Sequence, residues 1–339
     1  MIPQEKIAAV TRGLRAAFGV DKMEEMQMLS GGHRADLIFR IAVRGTPYLL
    51  RIVKRVSDPT NHFAAMQAAA EALLAPRVWY ANAEEGVCIM DFIEAVPLPR
   101  REALAQMPAA MRALHALPAF PARANHLNTS CTFLLNSGAA VDELLRSFRE
   151  ADLVPRGEKE QFFAWHAELG AVCRQNDAEM APCHNDLVKP DNILFDGNRV
   201  WLVDWEAAFQ NDRYADLAVV ANFVVTHEAE ERSYLARYFG QLPDEYQLAR
   251  FFLMRQVAHM FYAMAYLLLG SAGKAVDWND SVPEFGEFHR RIWAGEVDFK
   301  DSSMKIAYGQ VHWRQLMRNL ELARFGEAMR TVGERHASG

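Results

Sequence analysis

A chain of 339 residues is long enough for two lobes or one large domain. Hydrophobic residues make up 51% and charged residues 24%, the balance of a folded globular protein, which excludes collagen-like, coiled-coil and disordered classes for the bulk of the chain. With 43 acidic against 37 basic side chains and a formal net charge of −6, the balance disfavours a nucleic-acid binder whose affinity rests on a basic face and suits a cationic small substrate better.

The N-terminal Met1-Ile-Pro-Gln-Glu-Lys6 has no basic stretch followed by an apolar run, so no secretory signal is expected and the expected location is cytoplasmic. Met26-Gln-Met-Leu29 reads as a short strand running into Ser30-Gly31-Gly32, where two glycines permit close backbone approach to a ligand. Leu37, Phe39, Ile41 and Val43 alternate with Ile38, Arg40 and Ala42, and a turn at Gly45-Thr46-Pro47 leads into residues 48–53, which predicts a β-hairpin. An alanine-rich helix follows over 58–74, with Phe63, Met66, Ala70, Leu73 and Leu74 on its apolar face. Strands over 77–80 and 87–93 flank Asn82-Ala-Glu-Glu-Gly86, so the first 95 residues read as β-rich with one inserted helix.

The remainder reads as mainly helical, over 102–117, 141–150, 158–175, 214–225, 246–269, 282–294 and 307–332. The most apolar run, 257–269, contains His259 and is shorter than the roughly 20 residues needed to span a bilayer, so no membrane partner is expected. Cys88, Cys131, Cys173 and Cys183 lie far apart without a Cys-x-x-Cys pair, which argues against a zinc knuckle or a disulfide scaffold. Within the helical part, residues 192–195, Asp196-Gly-Asn198 and residues 200–203 form a second hairpin with an Asp-Gly turn signal.

Chemistry gathers at the ends of this second hairpin. Cys183-His-Asn-Asp-Leu-Val-Lys-Pro-Asp-Asn192 precedes it and Asp204-Trp-Glu206 follows it. Strand pairing sets Asn192 opposite a residue between Trp201 and Asp204, bringing an amide oxygen and a carboxylate together. Mg²⁺ takes oxygen ligands of this kind and keeps waters and substrate phosphates beside them. Asp186, in the loop leading to the same end, is placed to accept a hydroxyl proton as general base.

His-x-Asp, Asn, a hairpin and then Asp, preceded by a β-rich lobe, resembles the protein-kinase-like fold. The chain lacks GxGxxG, HRD, DFG and APE. Instead, His184-Asn-Asp186, Asp204-Trp-Glu206 and Asn211-Asp-Arg-Tyr-Ala-Asp-Leu217 are similar to the choline/ethanolamine kinase and aminoglycoside phosphotransferase superfamily, most of all choline-kinase-like proteins. The resemblance covers roughly residues 29–222. It implies an α+β, two-lobed fold, with a nucleotide-binding lobe over 1–95 and a helical catalytic and acceptor-binding lobe over 96–339. The implied activity is Mg²⁺- and ATP-dependent transfer of a γ-phosphate to a hydroxyl of a small cationic alcohol of the choline or ethanolamine type. Aminoglycoside, thiamine or sugar acceptors are the alternative, and a catalytically silent nucleotide-binding relative is the alternative of another class.

Residue by residue, the resemblance assigns Asp186 as catalytic base and Asn192 and Asp204 as metal ligands. The loop is one residue longer than the family pattern, so Asp191 stands where the asparagine is expected, but Asn192 keeps the register into the hairpin and is preferred. Arg51 takes the place of the phosphate-gripping lysine, where guanidinium suits phosphate, and Glu71 that of its carboxylate partner. Gly31 and Gly32 would approach the ATP phosphates, while Met90 and Phe92 would belong to the hinge that recognises adenine. Glu206 would help hold a second Mg²⁺ or face a cationic acceptor. Tyr262 and Tyr266, four apart on one helix face, would supply aromatic faces to that acceptor, with Trp278, Trp293 and Trp313 as further aromatics. His184 is expected to brace the loop and Asp216 to serve as an anchor or helix N-cap.

Overall fold

The computed structural model describes residues 1–29, 36–53, 59–120, 131–135, 139–173, 177–188, 190–272, 274–278 and 281–337. Helix α1 (Ile7–Phe18) comes first, and it is a departure from the expected single helix in this region. Its Ala9, Val10 and Leu14 are buried, and Gly13 is needed for close approach, because a Cβ there would stand 2.9 Å from the Tyr80 ring. The helix stops at Gly19, which adopts the left-handed conformation.

Strands β1 (Glu25–Met28), β2 (Leu37–Val43), β3 (Thr46–Ile52), β4 (Val78–Asn82) and β5 (Val87–Asp91) form one antiparallel sheet in the order β1-β2-β3-β5-β4. The β2–β3 connection turns on Arg44 and Gly45, both at positive φ (54° and 73°), as a two-residue turn of the type that matches strand twist requires. Consequently Leu37 pairs with Ile52 and Ile38 with Arg51. Phe39, Ile41, Leu50, Ile52, Val87 and Ile89 pack beneath α1 as the core of this lobe.

Helix α2 (Pro59–Glu71) lies between β3 and β4 and buries Phe63, Ala65, Met66 and Ala69. Leu73, expected on that face, is instead 60% exposed: it takes a left-handed φ of 59° just after the helix, so that Leu74 turns inward. The carbonyls freed by this turn hold the two lobes together. Leu74 O accepts the Leu202 amide at 2.8 Å, and Leu73 O accepts the Arg199 guanidinium.

The second lobe is large and mainly helical. After α3 (Arg100–Leu114), α4 (Ala139–Glu150) and α5 (Arg156–Val172) come strands β6 (Met180–Cys183), β7 (Ile193–Phe195), β8 (Val200–Leu202) and β9 (Phe209–Asp212). Then follow α6 (Arg213–Val224), α7 (Glu228–Phe239), α8 (Glu245–Ser271), α9 (Phe285–Trp293), α10 (Ser302–Leu320) and α11 (Ala323–Ala337). Helix α7 and the β6–β9 ladder escape the sequence reading, and the single helix expected over 307–332 is two, broken at residues 321–322. Helix α8 is long and apolar enough to cross a membrane by length and composition, yet 72% of its most apolar window is buried inside the protein. It packs against α6, α10 and α11. Gly270 and Gly309 let α8 and α10 close on each other, since a Cβ on Gly309 would lie 2.7 Å from Leu267 Cγ.

Candidate active site

The β6–β9 and β7–β8 ladders build the frame of the site. Cys183 pairs with Phe209 at the end of β6, and the chain then leaves the ladder as His184-Asn185-Asp186. Asn185 sits at a left-handed φ of 66°, a conformation asparagine tolerates better than most residues. Its amide nitrogen donates to Ala207 O at 3.1 Å, and its oxygen accepts from Asn211 Nδ2 at 2.6 Å. That turn delivers Asp186 to the mouth of the second hairpin.

In β7–β8, Ile193 pairs with Leu202, and the Val203 amide donates to Asn192 O at 3.0 Å, so Asn192 stands opposite Val203 within the expected interval. Asn192 is buried and Asp191 exposed. The Asn192 amide nitrogen donates to the Asp186 backbone oxygen at 2.7 Å and to its Oδ2 at 3.2 Å. This assignment leaves Oδ1 as the remaining acceptor of the Asn192 side chain.

His184 braces the loop as expected. Its Nε2 donates to Val203 O at 2.9 Å and its ring packs on Trp205, while its Nδ1 is buried without a hydrogen-bond partner among the described residues. Asp216 is the anchor and not the N-cap, because Asp212 caps α6 by accepting the Tyr214 amide. From the first turn of α6, Asp216 accepts the backbone N–H of His184 at 2.7 Å and of Asn185 at 2.8 Å. His115 Nε2 lies 3.4 Å from the same carboxylate, and its Nδ1 meets Tyr238 OH at 2.8 Å. Burial alone would raise the pKa of Asp216, but the hydrogen bond and charge of His115, the charge of His184 and the His184 amide outweigh it and hold the carboxyl below the usual aspartate range.

Across the lobes, Arg51 of β3 reaches the residues that follow the hairpin. Its Nη1 donates to Asp204 Oδ1 at 3.4 Å, and its Nη2 to Glu206. Asp204 occupies a left-handed φ of 66° at the start of the 205–207 turn, so the turn aims both carboxylates at the same guanidinium. Glu206 therefore groups with Arg51 and Asp204. Glu71 does not pair with Arg51: it is exposed in the last turn of α2, and the partner overlooked in the sequence is Asp36, whose Oδ2 accepts Nε at 3.0 Å and Nη2 at 2.8 Å.

Met90 is buried in β5, opposite Leu49, and Phe92 is half-buried just past that strand with the Arg40 guanidinium 5.3 Å from its ring centre. Beyond it, the Val96 amide bonds Phe195 O at 2.7 Å, which ties the connection between the lobes to the second hairpin. Gly31 and Gly32 lie outside the described residues.

Tyr262 is buried on α8 and Tyr266 half-buried one turn on, their ring centres 6.4 Å apart. Burial pushes both phenols above the usual tyrosine range, and the negative charge of Asp186 adds to both shifts. Tyr308, Phe299 and His312 pack against them in one aromatic cluster. The three tryptophans serve packing: Trp313 is fully buried and bonds Glu158, Trp278 bonds Leu153 O, and Trp293 lies on Phe223. All four cysteines are buried thiols, and burial raises the Cys88 thiol to about 12. A cavity of about 220 Å³ lined by Glu228, Glu231, Arg324 and Glu327 lies between α7, α8 and α11, and none of the site residues above lines it.

This geometry coincides with a family match. The model of the phosphotransferase enzyme family (APH) matches residues 25–252, which span the sheet, the Arg51 cluster, the second hairpin and most of the first half of α8. The chain belongs to this family. Solved structures show the same protein-kinase-like, two-lobed α+β fold. A choline/ethanolamine kinase family protein from Mesorhizobium loti superposes with a TM-score of 0.65 at 19% identity, covering 97% of this chain and 99% of that one. A macrolide 2'-phosphotransferase from Brachybacterium faecium superposes with a TM-score of 0.53 at 18% identity, covering 87% and 99%. In sequence, Protein LicA of Haemophilus influenzae is 32% identical over 84 residues, 24% of this chain. The aligned stretch spans about a quarter of that relative's length. The fold is thus common to a choline/ethanolamine kinase family protein and a macrolide 2'-phosphotransferase.

Proposed function

We propose that this phosphotransferase-family member transfers the γ-phosphate of ATP to a hydroxyl of a small cationic alcohol of the choline or ethanolamine type. The lobe over 1–95 covers the nucleotide and the lobe over 96–339 holds the acceptor. The observation that carries the reading is the direct hydrogen bonding of Asn192 to Asp186, at the same end of the hairpin from which Asp204 and Glu206 follow.

In this reading Asp186 is the general base. Asn192 fixes the orientation of its carboxylate, and the Asp216 anchor fixes the backbone that carries it, so the base is held before the hydroxyl arrives. Asp204, Asn192 and Glu206 would hold Mg²⁺. Their donor set is oxygen-rich, as that cation requires, and Asp204 and Glu206 already bind a cation, the Arg51 guanidinium. Bound Mg²⁺ offsets charge on the phosphates. Arg51 grips a phosphate from the sheet side, with its fork of donors suited to phosphate oxygens. Met90 and Phe92 flank the adenine side. Tyr262 and Tyr266 would supply aromatic faces to a cationic acceptor.

The experiment is incubation with Mg·ATP and a panel of choline, ethanolamine, thiamine, aminoglycosides and sugars, with ADP release as the readout. Turnover confined to sugars overturns the cationic-acceptor reading, and nucleotide binding without turnover on any acceptor favours a silent relative. An Asp186→Asn variant is expected to lose roughly 10²–10⁴-fold in turnover, the usual range for a general base.

A further inference from the structure

We infer that Asp36 is the positioning residue that aims Arg51 at the nucleotide phosphates, the part expected of Glu71. The inference rests on the reading of Arg51 as the phosphate-gripping cation.

Strand register places Asp36 there. Ile38 pairs directly with Arg51, and Asp36 lies two residues earlier, at the entry to β2. Residues two apart in an extended segment share a face, so Asp36 and Arg51 stand as diagonal neighbours, within reach of a long side chain. Both side chains are at most 10% exposed, so the contact is shielded from solvent and holds a fixed geometry.

The contact is also directional. One oxygen of Asp36 accepts both Nε and Nη2, the side edge of the guanidinium plane. With that edge held, the Nη1 end points across the lobes toward Asp204. Asp204 and Glu206 come from the other lobe and are the residues that would bind metal, so their bonds to Arg51 would compete with that role. Asp36 belongs to the same sheet as Arg51 and offers a bond that persists. Without it, the partners that remain to the guanidinium among the described residues compete with the metal, and it follows them instead of the phosphates.

The probes are Mg·ATP, Mg·ADP and adenosine, with equilibrium binding measured by calorimetry on the full chain. Asp36→Ala and the isosteric Asp36→Asn are expected to weaken both nucleotides about tenfold or more, the scale of one charge-assisted pair. Adenosine, which carries no phosphate, is expected to bind within about twofold of the unmodified protein, a difference far below one such pair. Arg51→Ala is expected to behave in the same way, and Asp36→Ala to add nothing in the Arg51→Ala background. A purely structural role would weaken adenosine too and would not vanish in that background. Glu71→Gln is expected to leave all three affinities unchanged. If Arg51→Ala loses nucleotide affinity while both Asp36 variants keep it, or if the two effects add, the inference about Asp36 is overturned and the reading of Arg51 stands. Should Arg51→Ala bind Mg·ATP normally, the reading of Arg51 falls, and the inference with it.

Discussion

Replacing Asp216 tests whether the loop that carries Asp186 is held from below. The side chain is 1% exposed and accepts two backbone amides, from His184 and Asn185, at 2.7 and 2.8 Å. Asp216→Ala leaves both donors buried without that acceptor, at about 1–3 kcal/mol each, so a loss of about 2–6 kcal/mol is expected. That is a large part of the 5–15 kcal/mol typical of a folded protein. The His115 contact, at 3.4 Å, adds less. Asp216→Asn keeps the shape and one carbonyl oxygen, so it should lose roughly half as much, because one side-chain N–H₂ then faces a donor. Urea unfolding gives the total, and hydrogen exchange at the His184 and Asn185 amides gives the local part. The carboxyl is held below the usual aspartate range, so its contribution is intact above the unfolded-state value and is lost as pH falls through the folded one. Asp216→Asn should therefore flatten the acid limb of the stability curve. Unchanged protection at the two amides, with a stability loss below about 1 kcal/mol, would refute the anchor.

Mg²⁺ titration of turnover should separate the two loop candidates, with Asn192→Ala raising the half-maximal concentration about tenfold or more and Asp191→Ala shifting it less than about twofold; the reverse order would make Asp191 the ligand. Gly309→Ala should destabilise by about 1–3 kcal/mol in urea, since its Cβ would meet Leu267 Cγ at 2.7 Å and the Leu267 backbone nitrogen at 2.9 Å. Gly326→Ala in α11, with open space at that position, should instead stabilise by about 0.5–1 kcal/mol, and equal effects at both sites would defeat the packing argument. His259, His289 and His312 are buried together, and burial depresses all three pKa values, His289 to about 4. Below about 6.5 the unfolded chain takes up protons that the folded one refuses, so the unfolding midpoint should fall steadily from pH 6.5 to 4, with His289 alone contributing about 3 kcal/mol. A His289→Phe variant whose acid limb matched that of the unmodified protein would contradict this account.

What the sequence discloses depends on how far apart the partners lie along the chain. The second hairpin was legible because alternation and the Asp-Gly signal are local, and its pairing set Asn192 opposite a residue between Trp201 and Asp204, which the structure narrows to Val203. Asp186 and Asp204 then followed from their places at its ends. The β6–β9 ladder was not legible, since four-residue strands joined across a hairpin and a turn carry too little periodicity to register. Helix α1 was overlooked although Ala9, Val10, Gly13 and Leu14 follow helical spacing and Gly19 stops it. The missed partner of Arg51 is the most instructive case. Placing the first hairpin's turn at Gly45-Thr46-Pro47 leaves the β2–β3 register undetermined, and a helical glutamate is then the natural choice of carboxylate. Placing it at Arg44-Gly45, where both residues take positive φ, fixes Val43 against Thr46 and hence Ile38 against Arg51. Asp36 then falls on the face of Arg51 by the two-residue period of the strand alone, so the signal was present in the sequence and hung on one residue of turn assignment.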